Sequence, residues 1–353
     1  MSQFNITISL SEKIFDKKEE IKIEYHQNKQ EKVFYDNIEF NKDEIIISGI
    51  RTKKINVETF LLSTLSTVYK EVSKALIYAY LSKGQFKISD IRFVSDNKVH
   101  SIKENEISQV FAKDNVELNA LIISEDFKEM FFANTVDSQT LVKTLMYLIL
   151  SYNEKHYIFD NSWKAFNSII SSLNKTASDF ENLKYIRKLL DDNKDKFKKS
   201  IEFSRKVDLE YLNVCKTNSM IKNNHPQLKP NKKSKEADTV IERMYKNYSD
   251  SLLCEYLESK LPCKKKVLEE TGLYESTAKY LSDQKQKQIS NPLDITRFLV
   301  LKYAYYLRNK NFHAEVMANN FLFKNDDSNE LLRISKPIQY LVIDLINNYS
   351  SFK

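Results

Sequence analysis

The chain contains very few residues that break helices. Its 353 residues include three glycines and five prolines, whereas average usage near 7% predicts roughly 25 glycines. A dinucleotide-binding fingerprint needs three glycines within six residues, and a Walker loop needs Gly-Lys followed by Ser or Thr. Neither pattern occurs. The shortage of glycine therefore excludes these nucleotide sites and predicts a chain built mostly of long helices.

Cysteine and long apolar runs are also scarce. The three cysteines are widely spaced and form no Cys-x-x-Cys pair, so we expect neither a disulfide framework nor a structural zinc site. No His-x-x-x-His or Asp-x-Asp pair supports a metal site, and we predict no cofactor. No apolar stretch approaches the length of about 18 residues that a membrane span needs, and the first residues lack the pattern of a signal peptide. These absences predict a cytoplasmic protein with no membrane partner.

Lysine supplies most of the positive charge. Lys and Arg total 55 against 48 Asp and Glu, which gives a formal net charge of +7, and eight of the 55 are Arg. This excess permits a nucleic-acid partner without requiring one. A hydrophobic content of 42%, with 21 Phe and 20 Tyr, is enough for a packed core, and the length suggests two domains.

Residues 1–134 have the pattern of a small α+β domain. Alternating or short apolar runs predict strands at 4–11, 21–25, 33–35, 44–48, 86–95 and 120–124. Gly49 is predicted to lie in a turn. From Val57 to Ser82 the apolar period changes to three and four residues, which predicts a long amphipathic helix that ends at Gly84. We expect this domain to sense a trigger, to bind a partner or to help select RNA.

Residues 135–353 have a helical pattern almost throughout and predict an all-helical domain, so the expected fold class is α+β overall. Residues 223–236 interrupt the pattern with two prolines and four lysines, and they predict a mobile basic loop. A new helix is predicted to begin at Asn291, with Asn291 as the N-cap and Pro292 at the first helical position.

The residues with the most chemical content stand at the end of that helix, in the sequence Arg308-Asn309-Lys310-Asn311-Phe312-His313. Arginine supplies a permanent planar cation that matches phosphate, and histidine moves protons near neutral pH. Together they can cleave RNA without a metal. His313 would act as general base or acid, and Arg308 would stabilise the charge that gathers on phosphorus. Asn309 lies four residues before His313 on the same helix face, where its amide can orient the imidazole.

The spacing of this pair has a geometric consequence. Arg308 and His313 are five residues apart, which places them about 140° apart around an ideal helix. The arginine must therefore reach round the helix, or the helix must loosen. One Arg and one His are also sparse for an active site, and a symmetric dimer that brings two pairs together would be more complete.

An Arg-polar-x-x-x-His motif late in an all-helical domain resembles the signature of the HEPN superfamily, which contains many metal-independent endoribonucleases. An upstream stretch, Trp163-Lys164-Ala165-Phe166-Asn167, is similar to the W-x-A-F-N element in the first helix of some HEPN domains. The resemblance covers about residues 135 to 353, and the domain order is broadly similar to that of RnlA-like toxins and Apea-like proteins. It implies a helical homodimer whose motifs meet at the interface and cleave RNA, often as a toxin or in anti-phage abortive infection.

The resemblance implies that Arg308 and His313 are the catalytic pair and that Asn309 supports them. It also implies an antitoxin or a phage-derived trigger as a partner. Glu315 stands where HEPN toxins controlled by nucleotidyltransferase antitoxins often have Tyr, and this difference argues against that mode of control.

Contacts with the RNA backbone are assigned to five lysines: Lys310, Lys198, Lys199, Lys232 and Lys233. The alternative for such lysines is a solvated helix face. For Trp163, the only tryptophan, packing in the core is favoured over stacking on a base. The alternative function is a non-catalytic dimeric scaffold or an RNA-binding adaptor.

Overall fold

The computed structural model describes seven parts of the chain, residues 2–26, 33–59, 63–64, 66–176, 178–224, 240–312 and 329–353. The chain forms two compact units. The first comprises Met1–Glu154 with Asn167–Ser172, and the second comprises Lys155–Phe166 with Leu173–Lys353. The first unit therefore extends past the boundary at residue 134 that the sequence suggested, because the helix after that point packs against the other helices of this unit.

The first unit contains a six-stranded antiparallel sheet in the order β2-β3-β4-β1-β5-β6. The strands are β1 Ser2–Leu10, β2 Glu19–His26, β3 Val33–Phe40, β4 Glu44–Arg51, β5 Ile88–Ser95 and β6 Lys98–Lys103. Along β1 the side chains of Phe4, Ile6, Ile8 and Leu10 are all buried. The alternating apolar residues that predicted this strand are therefore the side chains of its buried face. The fold is α+β, as predicted.

Among the described residues of the first unit, the helices α1 Thr67–Lys83 and α2 Glu125–Phe132 pack against α3 Val136–Asn153. The hydroxyl of Ser66 accepts a hydrogen bond from the Tyr69 amide and caps α1, so the predicted start at Val57 is wrong. The predicted end is confirmed, because Gly84 has a φ of +88° there. Residues 120–124 form no strand, and β6 was not predicted.

Gly49 lies inside β4 opposite Phe4 rather than in a turn. A Cβ at this position would come within 2.0 Å of Asp36 Oδ1. Glycine is therefore required because the buried Asp36 carboxylate fills the space that a side chain would occupy.

The described residues of the second unit form helices and their connections, with no strand. Its α- and π-helical elements are α4 Ile158–Asn174, of which residues 167–172 belong to the first unit, α5 Asp179–Asp192, α6 Lys198–Ser204, α7 Leu209–Asn213, α8 Thr217–Asn224, a π-helical segment Glu242–Lys246, α9 Ser251–Lys260, α10 Lys265–Glu270, α11 Tyr274–Gln286, α12 and α13 Asn329–Asn347. The helix α12 is continuous and consists of α-helical Pro292–Thr296, π-helical Arg297–Ala304 and α-helical Tyr305–Phe312. Most of the predicted basic loop at 223–236 lies outside the described residues.

The start of α12 is as predicted in position but not in hydrogen bonding. Asn291 is the N-cap residue and Pro292 follows at the first helical position, yet the Asn291 side chain accepts no capping hydrogen bond. Its amide instead donates to Asp294 Oδ2 at 3.0 Å and to Ser249 Oγ at 3.1 Å. Asp294 also accepts from the Ser249 and Asp250 amides, so this buried carboxylate joins the helix start to the segment before α9.

The middle of α12 forms a large part of the core of the second unit. Six of the eight residues in its π-helical segment are buried, and a helix that is apolar on all sides belongs in a protein interior. The Tyr303 hydroxyl donates to Glu330 Oε1 and accepts from the Lys216 amide at 2.5 Å. Glu330 also pairs with the Lys216 ammonium at 3.0 Å. This network, in which Tyr303 and Glu330 are buried, connects α12 to the start of α8 and to α13.

Asp344 on α13 accepts three hydrogen bonds at the start of α6, from the Lys199 amide at 3.0 Å, the Ser200 amide at 2.8 Å and the Ser200 hydroxyl at 2.7 Å. Burial nevertheless raises the pKa of Asp344 to about 6. Since the folded pKa exceeds the unfolded value of about 3.9, the folded state holds the proton more tightly. The stability from this proton is fully present below about pH 4 and is lost as the pH rises through about 6.

We therefore expect Asp344→Asn to gain stability relative to the wild type by about 2 kcal/mol between about pH 4.5 and about pH 7.5. Urea unfolding at the two pH values, followed by the fluorescence of Trp163, measures this difference. A stability difference that stays constant with pH would contradict the expectation.

Candidate site at the end of helix α12

The predicted motif lies in the last described turn of α12. The Arg308 side chain is 23% exposed, and its Nη1 donates to Asn309 Oδ1 at 2.9 Å. The same Nη1 lies 3.2 Å from Asp179 Oδ2. A guanidinium held by two acceptors has a restricted orientation, and both acceptors leave part of it accessible to solvent. His313, the other predicted catalytic residue, lies outside the described residues.

Asp179 is the member of this site that the sequence did not reveal. It stands in the first turn of α5, after the N-cap Ser178, whose hydroxyl accepts from the Glu181 amide. A carboxylate at this position is favoured by the helix dipole. The local sequence therefore accounts for an acidic residue at position 179 without any role for Arg308. The two residues are 129 positions apart, and no local pattern connects them.

The only tryptophan packs against the helix that carries the motif. Trp163 on α4 packs on Phe166 with ring centroids 5.3 Å apart and on Tyr305 of α12 with centroids 6.2 Å apart. Trp163 is buried, which confirms its predicted place in the core. Tyr305 precedes Arg308 by three residues, so this contact supports the helix turn that carries the motif.

The helices α5 and α12 pair in antiparallel directions. Asp179, at the start of α5, pairs with Arg308, and Asp191, at the end of α5, pairs with Arg297 in the π-helical segment. The Arg297 guanidinium also lies 2.8 Å from Asp294. The two ion pairs therefore join both ends of α5 to α12.

Three more cations lie along this helix pair, and we call Arg187, Arg243 and Lys302 the basic cluster. Burial, with the charges of Arg187 and Arg243, lowers the pKa of Lys302 to about 8. No carboxylate among the described residues pairs with a member of this cluster. Arg187 is half-buried on α5 and Arg243 is exposed. Cations that repel one another without a carboxylate between them form a favourable site for a phosphate.

The lysines assigned to RNA occupy different environments. Lys198 is exposed at the start of α6, whereas the Lys199 ammonium pairs with Glu202 at 3.1 Å. Lys310 is half-buried on the motif turn. Lys232 and Lys233 lie outside the described residues. The basic cluster was missed because its members come from three separate elements.

The described residues give no sign of a metal centre or a membrane span. No three His, Cys, Asp or Glu side chains within them group in a way that would hold a metal ion. None of the helices described has both the length and the apolar composition to cross a bilayer.

Comparisons of the chain with models of protein families, with curated proteins and with solved structures found no match.

Proposed function

We propose that the second unit is a metal-independent endoribonuclease that cleaves RNA by acid-base catalysis with Arg308 and His313. The observation that carries this proposal is the position of Arg308, a partly accessible guanidinium that Asp179 and Asn309 orient at the end of a buried helix. His313 follows five residues later. The direct test is cleavage of RNA by the full chain in EDTA, with Arg308→Ala and His313→Ala as variants.

In this mechanism His313 takes the proton of the 2′-hydroxyl, which attacks the adjacent phosphorus, and the 5′-oxygen leaves with a proton from a second acid. Arg308 stabilises the extra negative charge on the non-bridging oxygens. A homodimer with the two motifs facing each other would supply that acid from the second copy. Asn309 both holds Arg308 and is available to the imidazole.

The cellular role that we propose is that of a cytoplasmic toxin or an anti-phage abortive-infection effector. The first unit would then receive the signal, from an antitoxin or from a phage-derived trigger. The basic balance of the chain and the basic cluster beside α12 support RNA as the substrate.

The second candidate is a non-catalytic scaffold or RNA-binding adaptor of the same architecture. The ion pair between Arg308 and Asp179 favours it, because an arginine whose charge is balanced by a carboxylate can serve packing alone. The two candidates differ in the effect of Arg308→Ala, which greatly slows cleavage by the enzyme and leaves RNA binding by an adaptor nearly unchanged.

If the basic cluster binds the RNA backbone, Arg187→Gln combined with Arg243→Gln will weaken binding and flatten its salt dependence. For single-stranded RNA the slope of log K against log salt should fall by about 0.7 for each lost phosphate contact, or about 1.4 for both. The measurement uses a 2′-O-methyl oligonucleotide, which lacks the attacking hydroxyl and cannot be cleaved by this mechanism.

The matched control is Lys198→Gln combined with Lys199→Gln, which removes the same charge from α6. A larger slope change for the α6 variant would show that Lys198 and Lys199, rather than the basic cluster, contact the RNA backbone. Equal changes would show that only net charge matters.

A further inference from the structure

A cavity of about 280 Å³ lies between α1 and α3 of the first unit. Its apolar wall comes from Val142, Met146 and Leu150 on α3 and from the rings of Tyr69 and Tyr147. The spacing of the α3 residues, at intervals of four, places them on one face of that helix. The lining therefore has the character of a small-molecule pocket, in which apolar surface dominates.

A few polar groups converge on the same space. Lys70 on α1 and Lys143 and Gln139 on α3 line the cavity. Within the described part of the chain, no hydrogen bond or ion pair engages the side chains of these three residues. Two ammonium groups and an amide are thus available to a ligand that enters between the helices.

A third ammonium lies in the wall itself. Lys74 is 3% exposed, and its Nζ donates to Glu71 Oε1 at 3.3 Å and to the Ala133 carbonyl at 3.1 Å. Burial lowers the pKa of Lys74, and the charge of Lys70 lowers it further. Burial also raises the pKa of Glu71 to about 7, and Glu71 Oε2 has no hydrogen-bond partner among the described residues. Lys74 therefore adds a third lysine to the lining, and its partner Glu71 is not among the lining residues.

We propose that this cavity binds a small molecule that carries a carboxylate or phosphate group on an apolar or aromatic body. The lysines at the cavity would hold the anionic group, the Gln139 amide would add a hydrogen bond, and the aliphatic and tyrosine walls would cover the body. The volume is close to the lower end of ligand pockets, about 300 Å³, which suits a single ring system rather than a polymer. This cavity belongs to the first unit and the proposed RNA-cleaving motif to the second. The proposal for the cavity therefore does not depend on the proposed ribonuclease activity.

The test is a fluorescence titration of the full chain with 8-anilinonaphthalene-1-sulfonate, an anionic aromatic dye that serves as the probe. We expect saturable binding of one dye per chain. Lys70→Met combined with Lys143→Met should weaken binding roughly tenfold, since two partly exposed ammonium groups each contribute somewhat under 1 kcal/mol. Met146→Trp fills the cavity and should abolish the saturable phase. Inorganic phosphate should compete with the dye in the wild type.

Two controls distinguish binding at this site from nonspecific binding of the dye elsewhere on the protein. Lys42→Met combined with Lys98→Met removes the same charge from exposed positions of the same unit and should change the affinity less than twofold, about 0.4 kcal/mol. The uncharged dye N-phenyl-1-naphthylamine should bind the wild type and the Lys70→Met/Lys143→Met variant alike. Absence of saturable binding, equal losses in both double variants, or unchanged binding in a folded Met146→Trp variant would overturn the proposal.

Discussion

Arg308→Ala is expected to reduce the rate of RNA cleavage by about a thousandfold. The removal of one preorganised donor to a developing oxyanion costs about 10²- to 10³-fold in other enzymes, and arginines that stabilise phosphoryl transition states contribute more. The loss should appear in kcat, because the charge that Arg308 meets is largest in the transition state. Cleavage of a fluorescent RNA in EDTA, under single-turnover conditions, measures the effect.

The fold should survive this substitution. Arg308 is partly exposed and lies in the last described turn of α12, so its loss leaves the core unchanged. Arg205→Ala is the matched control, because Arg205 is an exposed arginine of the same unit and its removal changes the net charge equally. We expect His313→Ala to resemble Arg308→Ala and Arg205→Ala to resemble the wild type. If Arg308→Ala cleaves RNA as fast as the wild type, the catalytic assignment is wrong.

Asp36→Ala is expected to destabilise the first unit by about 3 to 5 kcal/mol, the cost of leaving a buried charge without its partner. Asp36 and Arg51 form two parallel hydrogen bonds of 2.6 Å, and both side chains are less than 10% exposed. The Arg51 guanidinium also contacts Thr67 Oγ1 at 3.0 Å and lies over the rings of Phe4 and Tyr25. None of these contacts replaces the carboxylate.

Native-state hydrogen exchange of the β3 and β4 amides, followed by mass spectrometry, reads this stability in the first unit alone. Glu39→Ala is the control, since Glu39 pairs with Lys18 at the same distance of 2.6 Å but both side chains are partly exposed. An exposed pair of this kind contributes at most about 1 kcal/mol. Similar losses in the two variants would contradict the role assigned to burial.

Gly49→Ala should also destabilise the sheet, because its methyl group would displace the Asp36 carboxylate.

The sequence predicted those elements whose burial follows a simple period. In β1 every second residue is buried, and at Gly84 the positive φ marks the end of a helix. The edge strand β6 gave no such signal, because none of its side chains is buried. The apolar run at residues 120–124 wrongly predicted a strand, since Leu121 is buried but Ile122 is 63% exposed. A short apolar run does not reveal whether its side chains share an environment.

The residues of the candidate site also fall into two groups, those that a local motif predicts and those that depend on distant parts of the chain. Arg308 and Asn309 were found because the motif is local, whereas Asp179 and the basic cluster were missed because their partners come from distant parts of the chain. Gly49 was misplaced for the same reason, since the carboxylate that it accommodates belongs to the neighbouring strand β3. A local pattern cannot report a requirement that another strand imposes.

The π-helical segment Arg297–Ala304 sets the rotational phase of everything that follows it in α12. Its hydrogen bonds skip one residue more than those of an α-helix, so the chain carries extra residues per turn between the buried start of the helix and the motif. If these eight residues formed an α-helix instead, at about 100° per residue, the remainder of the helix would face a different direction. Arg308 would then leave Asp179 and point elsewhere, although no residue of the motif had changed. The orientation of the guanidinium therefore depends on the π-helical form of this segment as well as on the identity of the motif residues.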